Sequence, residues 1–296
     1  MQYQVNLYLD YIKYQKKLSE NTFESYARDL RDFCEFANLN GLSMPSEVSV
    51  TDLLRYVREL EAQKKSNATI SRIIASIRSF FGYMYDERII DKNPTRQLQS
   101  PKVDRKLPEI LTVEEVDRLL SLPDLLTPFG LRDQAMLELL YATGLKVSEL
   151  ISLRSDNINL NLSYVKTTGS QNDRIVPITS SAAKALADYI ENGRAHFLGK
   201  SHKEEDILFL NASGNPLTRQ GFWKIIKAYG NSAEIQKCIT PQMLRHSFAS
   251  HLIQNGADLK SVQEMLGHAD LTSTQLYVSV GKDQLKRVYE KTHPRV

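Results

Sequence analysis

Apolar residues recur every three or four positions through most of the first ninety residues, a spacing that predicts helices. The stretch Tyr3 to Leu18 carries Val5, Leu7, Leu9, Ile12 and Leu18 in a moderate helical pattern. Ser19, followed by Glu20 and Thr22, marks the start of a second helix. Its apolar side is Phe23, Tyr26, Ala27, Leu30, Phe33 and Cys34, and Asn40-Gly41 ends it. A third helix starts at Thr51 and runs through Leu53, Leu54, Val57 and Leu60. The fourth, capped by Asn67 or Ser66, buries Ile70, Ile73, Ile74, Ile77, Phe81 and Met84. Ser71, Arg72, Arg78 and Ser79 lie off that stripe, and Lys64 and Lys65 precede the helix. Such a face suits either entry into a DNA major groove or plain solvation.

Periodicity then stops. Pro94, Pro101 and Pro108 punctuate a stretch that reads as an extended linker. The pattern resumes at Thr112-Val-Glu-Glu115, a capping box that opens a second, mixed domain. Helices are expected at Arg132–Tyr141 with Gly144 as terminator, at Ser180–Glu191, at Arg219–Tyr229 behind Thr218, and at Pro241–Asn255 behind Thr240. Another runs from Leu259 to Gly267, and a last one occupies Lys282 to Lys291. Tyr164–Thr168 and Arg174–Ile178 are short β-rich runs joined around Gly169-Ser170-Gln171-Asn172, which predicts a hairpin. The expected domains are a helical unit over 1–91, a linker over 92–106, and a mainly helical α/β unit over 107–296.

Composition adds little to this picture. The 296 residues are 42% hydrophobic and 25% charged, ordinary for a globular protein. No apolar run reaches the roughly 20 residues of a membrane span, and Met1 to Asp10 lacks the layout of a signal peptide. Cys34 and Cys238 are too far apart to suggest a disulfide framework or a metal site, so a cytoplasmic protein without bound metal is expected. Net charge is only +3, but its distribution is uneven. Between Lys92 and Pro108, Lys92, Arg96, Lys102, Arg105 and Lys106 face a single acid, Asp104. That run is either a solvated linker or, with Lys64, Lys65, Arg72 and Arg78, part of a DNA-contacting surface.

The candidate chemistry lies in three phrases: Leu139-Leu-Tyr-Ala-Thr-Gly-Leu-Lys-Val-Ser-Glu-Leu150, Thr240-Pro-Gln-Met-Leu-Arg-His-Ser-Phe-Ala-Ser-His-Leu252 and Met265-Leu-Gly-His-Ala-Asp-Leu-Thr-Ser-Thr-Gln-Leu-Tyr277. With Arg174-Ile-Val-Pro177 between them, they resemble the tyrosine recombinases, and the Xer branch in particular, over nearly the whole chain. The resemblance implies a four-helix, SAM-like core-binding domain followed by a mostly helical catalytic domain with a small hairpin sheet. It implies Tyr277 as the nucleophile that forms a 3′-phosphotyrosyl link, and Arg245 and His268 as donors to the scissile phosphate. It implies no metal or nucleotide cofactor. Double-stranded DNA with an inverted-repeat core site is the implied substrate. A tetramer on that DNA, of one recombinase or with a second Xer-like one, is implied too, as is regulation by a septal DNA translocase.

Three positions depart from the family pattern. Lys146 stands where the pattern has arginine, keeping the charge but not the bidentate fork. Gln242 stands where the pattern has histidine, and an amide cannot carry a proton near pH 7. Gly169 is followed by Ser170 and Gln171 where the family hairpin carries lysine, and the nearest lysine is Lys166. These changes predict strongly reduced cleavage unless other groups have taken over the roles. The alternative is a Xer-like DNA-binding protein that serves as architectural partner or regulator.

Overall fold

The computed structural model describes residues 1–103, 108–167, 173–199 and 206–267. The chain divides into two compact units, Met1–Arg105 and Lys106–Val296.

In the first unit α1 (Gln2–Asp10) continues into a π-helical turn, Tyr11–Gln15, and is followed by α2 (Glu20–Leu39), α3 (Val50–Ala62) and α4 (Asn67–Asp86). The starts are set by side-chain caps: Ser19, Ser49 and Ser66 accept from the amides of Thr22, Asp52 and Thr69. Ser66, not Asn67, therefore caps α4. The α4 stripe is buried as its spacing predicts, with Phe80 added, and it packs against α2. Phe33 of α2 meets Tyr56 of α3 and Phe81 of α4 edge-on, at ring separations of 5.3 and 6.1 Å.

The polar side of α4 is used within the unit. Arg72 pairs with Asp29, a buried carboxylate of α2. Arg78 donates to the Leu98 carbonyl at 2.6 Å, Ser71 to the Pro101 carbonyl at 3.1 Å, and Asn67 to the Lys102 carbonyl at 3.1 Å. Ser79 accepts from the Tyr8 hydroxyl at 2.7 Å. The stretch after α4, which lacks periodicity, is thus strapped along that helix, and Leu98 is buried in this unit's core. A non-periodic segment looks like a free linker in sequence because its bonds run through carbonyls, which leave no side-chain signature.

The second unit is built around α6 (Pro128–Thr143), which starts at Pro128, four residues before the expected Arg132. Nearly every turn of it is buried, so the one-sided pattern used to place helices is absent. Around it lie α5 (Val113–Leu120), α7 (Val147–Ile151), α8 (Ser180–Asp188), α9 (Arg194–Leu198), α10 (Arg219–Ser232), α11 (Pro241–Gln254) and α12 (Leu259–Leu266). The sheet has three antiparallel strands where two were expected: β1 (Ile158–Asn159), β2 (Tyr164–Thr167) and β3 (Arg174–Pro177), in that order. β1 is two residues long, too short to leave a periodic trace. Thr112, Thr218 and Thr240 cap α5, α10 and α11 as their sequences predict. Among the described residues no helix is long and apolar enough to cross a membrane.

Candidate active site

The site grows from three helix ends. α6 stops at Gly144, whose φ of +59° is the left-handed conformation that glycine adopts without cost. A side chain there would also overlap Phe248, and its Cβ would lie 2.8 Å from Leu266 Cδ2. The close approach brings the 144–147 segment against α11 and α12. The turn delivers Lys146 to the position just before α7. On α11, Gln242, Arg245 and His246 are spaced by three and four, so they share one face. Leu145, Lys146, Val147, Pro241, Gln242, Arg245 and His246 line one cleft of about 350 Å³.

Arg245 is buried and anchored by backbone: its guanidinium donates to the Gly144 carbonyl and, at 2.7 Å, to the Leu266 carbonyl. The ends of α6 and α12 therefore fix its plane. A fork held this way is a preorganised donor for an oxyanion, because the ordering is complete before any ligand arrives. Lys146 and Gln242 are exposed at the cleft, and His246 is half-buried.

An ion pair braces this arrangement. Arg174 of β3 grips Glu149 of α7 with two bonds of 2.9 Å, and its Nε donates to the Met265 carbonyl at 2.8 Å. Glu149 also accepts the backbone N–H of Lys146 at 2.8 Å. Burial pushes the Glu149 carboxyl up, but the bonds from Arg174 and the Lys146 amide, with the charges of Arg174 and Arg245, hold it below the usual carboxylate range. Gly267, at φ +63°, closes the assembly, since a Cβ there would sit 2.7 Å from Arg174 Nη1. For His246, burial and then the adjacent Arg245 charge both push the imidazole below its ordinary value.

Of the residues singled out by sequence, Lys146, Gln242 and Arg245 are brought together. Tyr277, His268, Arg105, Lys106 and the Gly169–Asn172 turn lie outside the described residues. Lys64, Lys65 and Lys102 are exposed on the first unit. Lys166 points away from the cleft side. Thr167 pairs with Arg174 and Lys166 with Ile175, and cross-strand partners share a face. Arg174 reaches Glu149, so Lys166 stands on the opposite face with the exposed Ile175, paired at 3.8 Å to Asp173. His246 and Glu149 were not singled out by the sequence. His246 adjoins Arg245 inside the quoted phrase, and its spacing of four from Gln242 was the available signal. Glu149 offered none, because its partner is 25 residues away. Among the described residues no three His, Cys, Asp or Glu side chains gather to hold a metal ion.

Comparison with known proteins gives this geometry a context. Residues 109–284 match the Phage integrase family, and residues 5–88 match its N-terminal SAM-like domain. The chain is 45% identical to the tyrosine recombinase XerD of Oceanobacillus iheyensis over 297 aligned positions, covering 100% of this chain and 99% of the relative. It is 43% identical to the XerD of Listeria monocytogenes serotype 4b, covering 97% of both. Its fold is similar to that of the XerH site-specific recombinase crystallised on a palindromic difH substrate, with a TM-score of 0.74 at 21% identity, covering 90% of this chain and 78% of that one. The chain belongs to the phage integrase family, among the XerD-like tyrosine recombinases.

Proposed function

We propose that this protein is a site-specific DNA recombinase of the chromosome-dimer-resolution type, which cleaves and rejoins strands through a phosphotyrosyl link at Tyr277. The observation that carries the reading is the gathering of Lys146, Gln242 and a backbone-anchored Arg245 around one cleft. In this reading the scissile phosphate sits at that cleft. Arg245 donates to its non-bridging oxygens, Lys146 adds a point charge, Gln242 offers an amide hydrogen bond, and His268 donates from the next segment. Tyr277 Oη attacks phosphorus and the 5′ oxygen leaves as a hydroxyl. The DNA is double-stranded with an inverted-repeat core, bound by a tetramer of this chain alone or of this chain with a second Xer-like recombinase, and a septal DNA translocase licenses exchange. Lys64, Lys65, Lys102, Arg105 and Lys106 contact its backbone, so affinity falls steeply with salt; Arg72 and Arg78, which hold Asp29 and the Leu98 carbonyl, are not among these contacts.

Magnitude bears on the rate. Replacing a forked donor by a point charge costs up to about 10²–10³-fold, and removing a proton carrier about 10²–10⁴-fold. The two losses need not multiply, because groups acting as a unit are non-additive. One observation favours a second reading, a DNA-binding partner with little cleavage: Lys166 faces away from the cleft side. A nicked suicide duplex separates the two. Covalent protein–DNA that is lost in Tyr277→Phe supports the recombinase, whereas a normal gel shift without covalent product supports the binding partner. Lys146→Arg with Gln242→His should raise trapping at least about tenfold, and no gain would count against this assignment of the cleft.

A further inference from the structure

We infer that His246 is the proton-transfer group of this site and stands in for the imidazole that position 242 lacks. The inference rests on the reading of Tyr277 as nucleophile. His246 follows Gln242 by one helical turn on α11, so the two side chains leave the same face, and both line the cleft with Arg245 and Lys146. It is the one histidine lining that cleft among the described residues. The other described histidines are engaged elsewhere. His251 Nδ1 meets the Tyr141 hydroxyl at 2.8 Å and its Nε2 meets the Leu111 carbonyl at 3.0 Å, while His196 packs edge-on against Phe129.

The chemistry requires such a group. A phenol of pKa about 10 must lose its proton as it attacks; neither the Gln242 amide nor the Lys146 ammonium can accept one, and in the recombinase reading His268 is committed as a donor to the phosphate. Burial and the Arg245 charge favour the neutral ring of His246, the form that accepts. As Tyr277 Oη bonds to phosphorus, its proton passes to the His246 imidazole. The bond from phosphorus to the 5′ oxygen breaks, and that oxygen takes a proton from water, leaving hydroxide. In rejoining, hydroxide takes the proton of the 5′-hydroxyl as its oxygen attacks phosphorus. The departing Tyr277 phenolate then recovers its proton from the His246 imidazolium.

The charged groups lining the cleft are Lys146 and Arg245, with the Glu149–Arg174 pair braced through the Lys146 amide. The bonds from Arg174 and the Lys146 amide hold the Glu149 carboxyl below the usual carboxylate range, so an acid limb in the imidazole range does not come from it, and a limb that His246→Gln abolishes belongs to His246 and not to His268.

The test uses the full chain on a nicked inverted-repeat duplex selected by gel shift with this chain, with covalent trapping timed from about pH 5 to about pH 9. The expected result has three parts. Wild-type trapping falls on the acid side along a single-proton limb centred below the ordinary imidazole value. His246→Gln traps about 10²–10⁴-fold more slowly and loses that limb, with gel shift and thermal midpoint unchanged. Gln242→His in the His246→Gln background restores at least about tenfold of the rate and brings a limb back. Wild-type rate and limb in His246→Gln would overturn the inference while leaving the recombinase reading intact. So would a rate loss that Gln242→His fails to recover. Absence of covalent product from the wild type at every pH would overturn both.

Discussion

Replacing Glu149 by Gln should unlatch β3 from α7 and lower the stability of the second unit measurably. Glu149 and Arg174 are 12% and 13% exposed, and the carboxylate accepts both arms of the guanidinium and the Lys146 amide. Removing one partner of a buried pair leaves the other charge uncompensated, at about 3–5 kcal/mol. The glutamine carbonyl still offers one acceptor and Arg174 keeps its bond to the Met265 carbonyl, so the lower figure, about 3 kcal/mol, is expected. For a unit of this size about 1 kcal/mol moves the midpoint by 2–4 °C, so thermal unfolding should shift down by about 6–12 °C. The sign with pH follows from the depressed carboxyl. Its contribution is present above the unfolded value of about 4.3 and is lost as pH falls through the folded value. The gap between wild type and Glu149→Gln should therefore close in acid. A double-mutant cycle with Arg174→Gln, followed by calorimetry, measures the coupling. Additive losses, or a Glu149→Gln loss under about 1 kcal/mol at pH 7, would refute the brace.

Gly144→Ala combines a left-handed backbone, about 1–2 kcal/mol for a Cβ, with overpacking against Phe248 and Leu266, about 1–3 kcal/mol. A fall in denaturation midpoint worth about 2–5 kcal/mol is expected, and a neutral result would mean that α6 can end otherwise. Asp29→Ala removes the buried partner of Arg72, whose side chain is 41% exposed and can turn to water. The loss should accordingly be modest, about 1–2 kcal/mol, and confined to the first unit's unfolding step. A loss in the second unit's step would show that the two steps were wrongly assigned.

Helix existence and capping were legible in the sequence wherever one face is buried and a serine or threonine stands before it. Ser19, Thr112, Thr218 and Thr240 all cap as expected. The signal failed at the N-terminal turn of α6, where Phe129 is exposed and Gly130 is the buried residue, and where elements are too short to repeat, as in β1 and α7. It failed again where polar side chains bond to distant carbonyls. Arg78 and Ser71 read as an outer face in the sequence, yet they hold the 98–102 strap. In the candidate site, phrase order located Lys146, Gln242 and Arg245. The brace that positions them joins residues far apart in the chain, Glu149 to Arg174 and Arg245 to Gly144 and Leu266, and no local pattern encodes such pairs.

The two described departures from the family pattern share a physical property that the anchors lack. Arg245, Glu149 and Arg174 are buried or nearly so, and each makes several hydrogen bonds, so altering them costs folding energy. Lys146 and Gln242 end in exposed side chains. What Lys146 contributes to the brace is its backbone N–H, donated to Glu149, which any residue other than proline supplies. Gln242 lies in the first turn of α11, where the backbone N–H groups have no carbonyl partner within the helix and many side chains are tolerated. Substitution at either position therefore changes chemistry at the cleft without loosening the scaffold. Lys146→Arg and Gln242→His should consequently leave the stability within about 0.5 kcal/mol of wild type, even as they change the rate of covalent trapping. A midpoint shift of several degrees in either variant would mean that these side chains are part of the brace, and that the cleft was rebuilt around them.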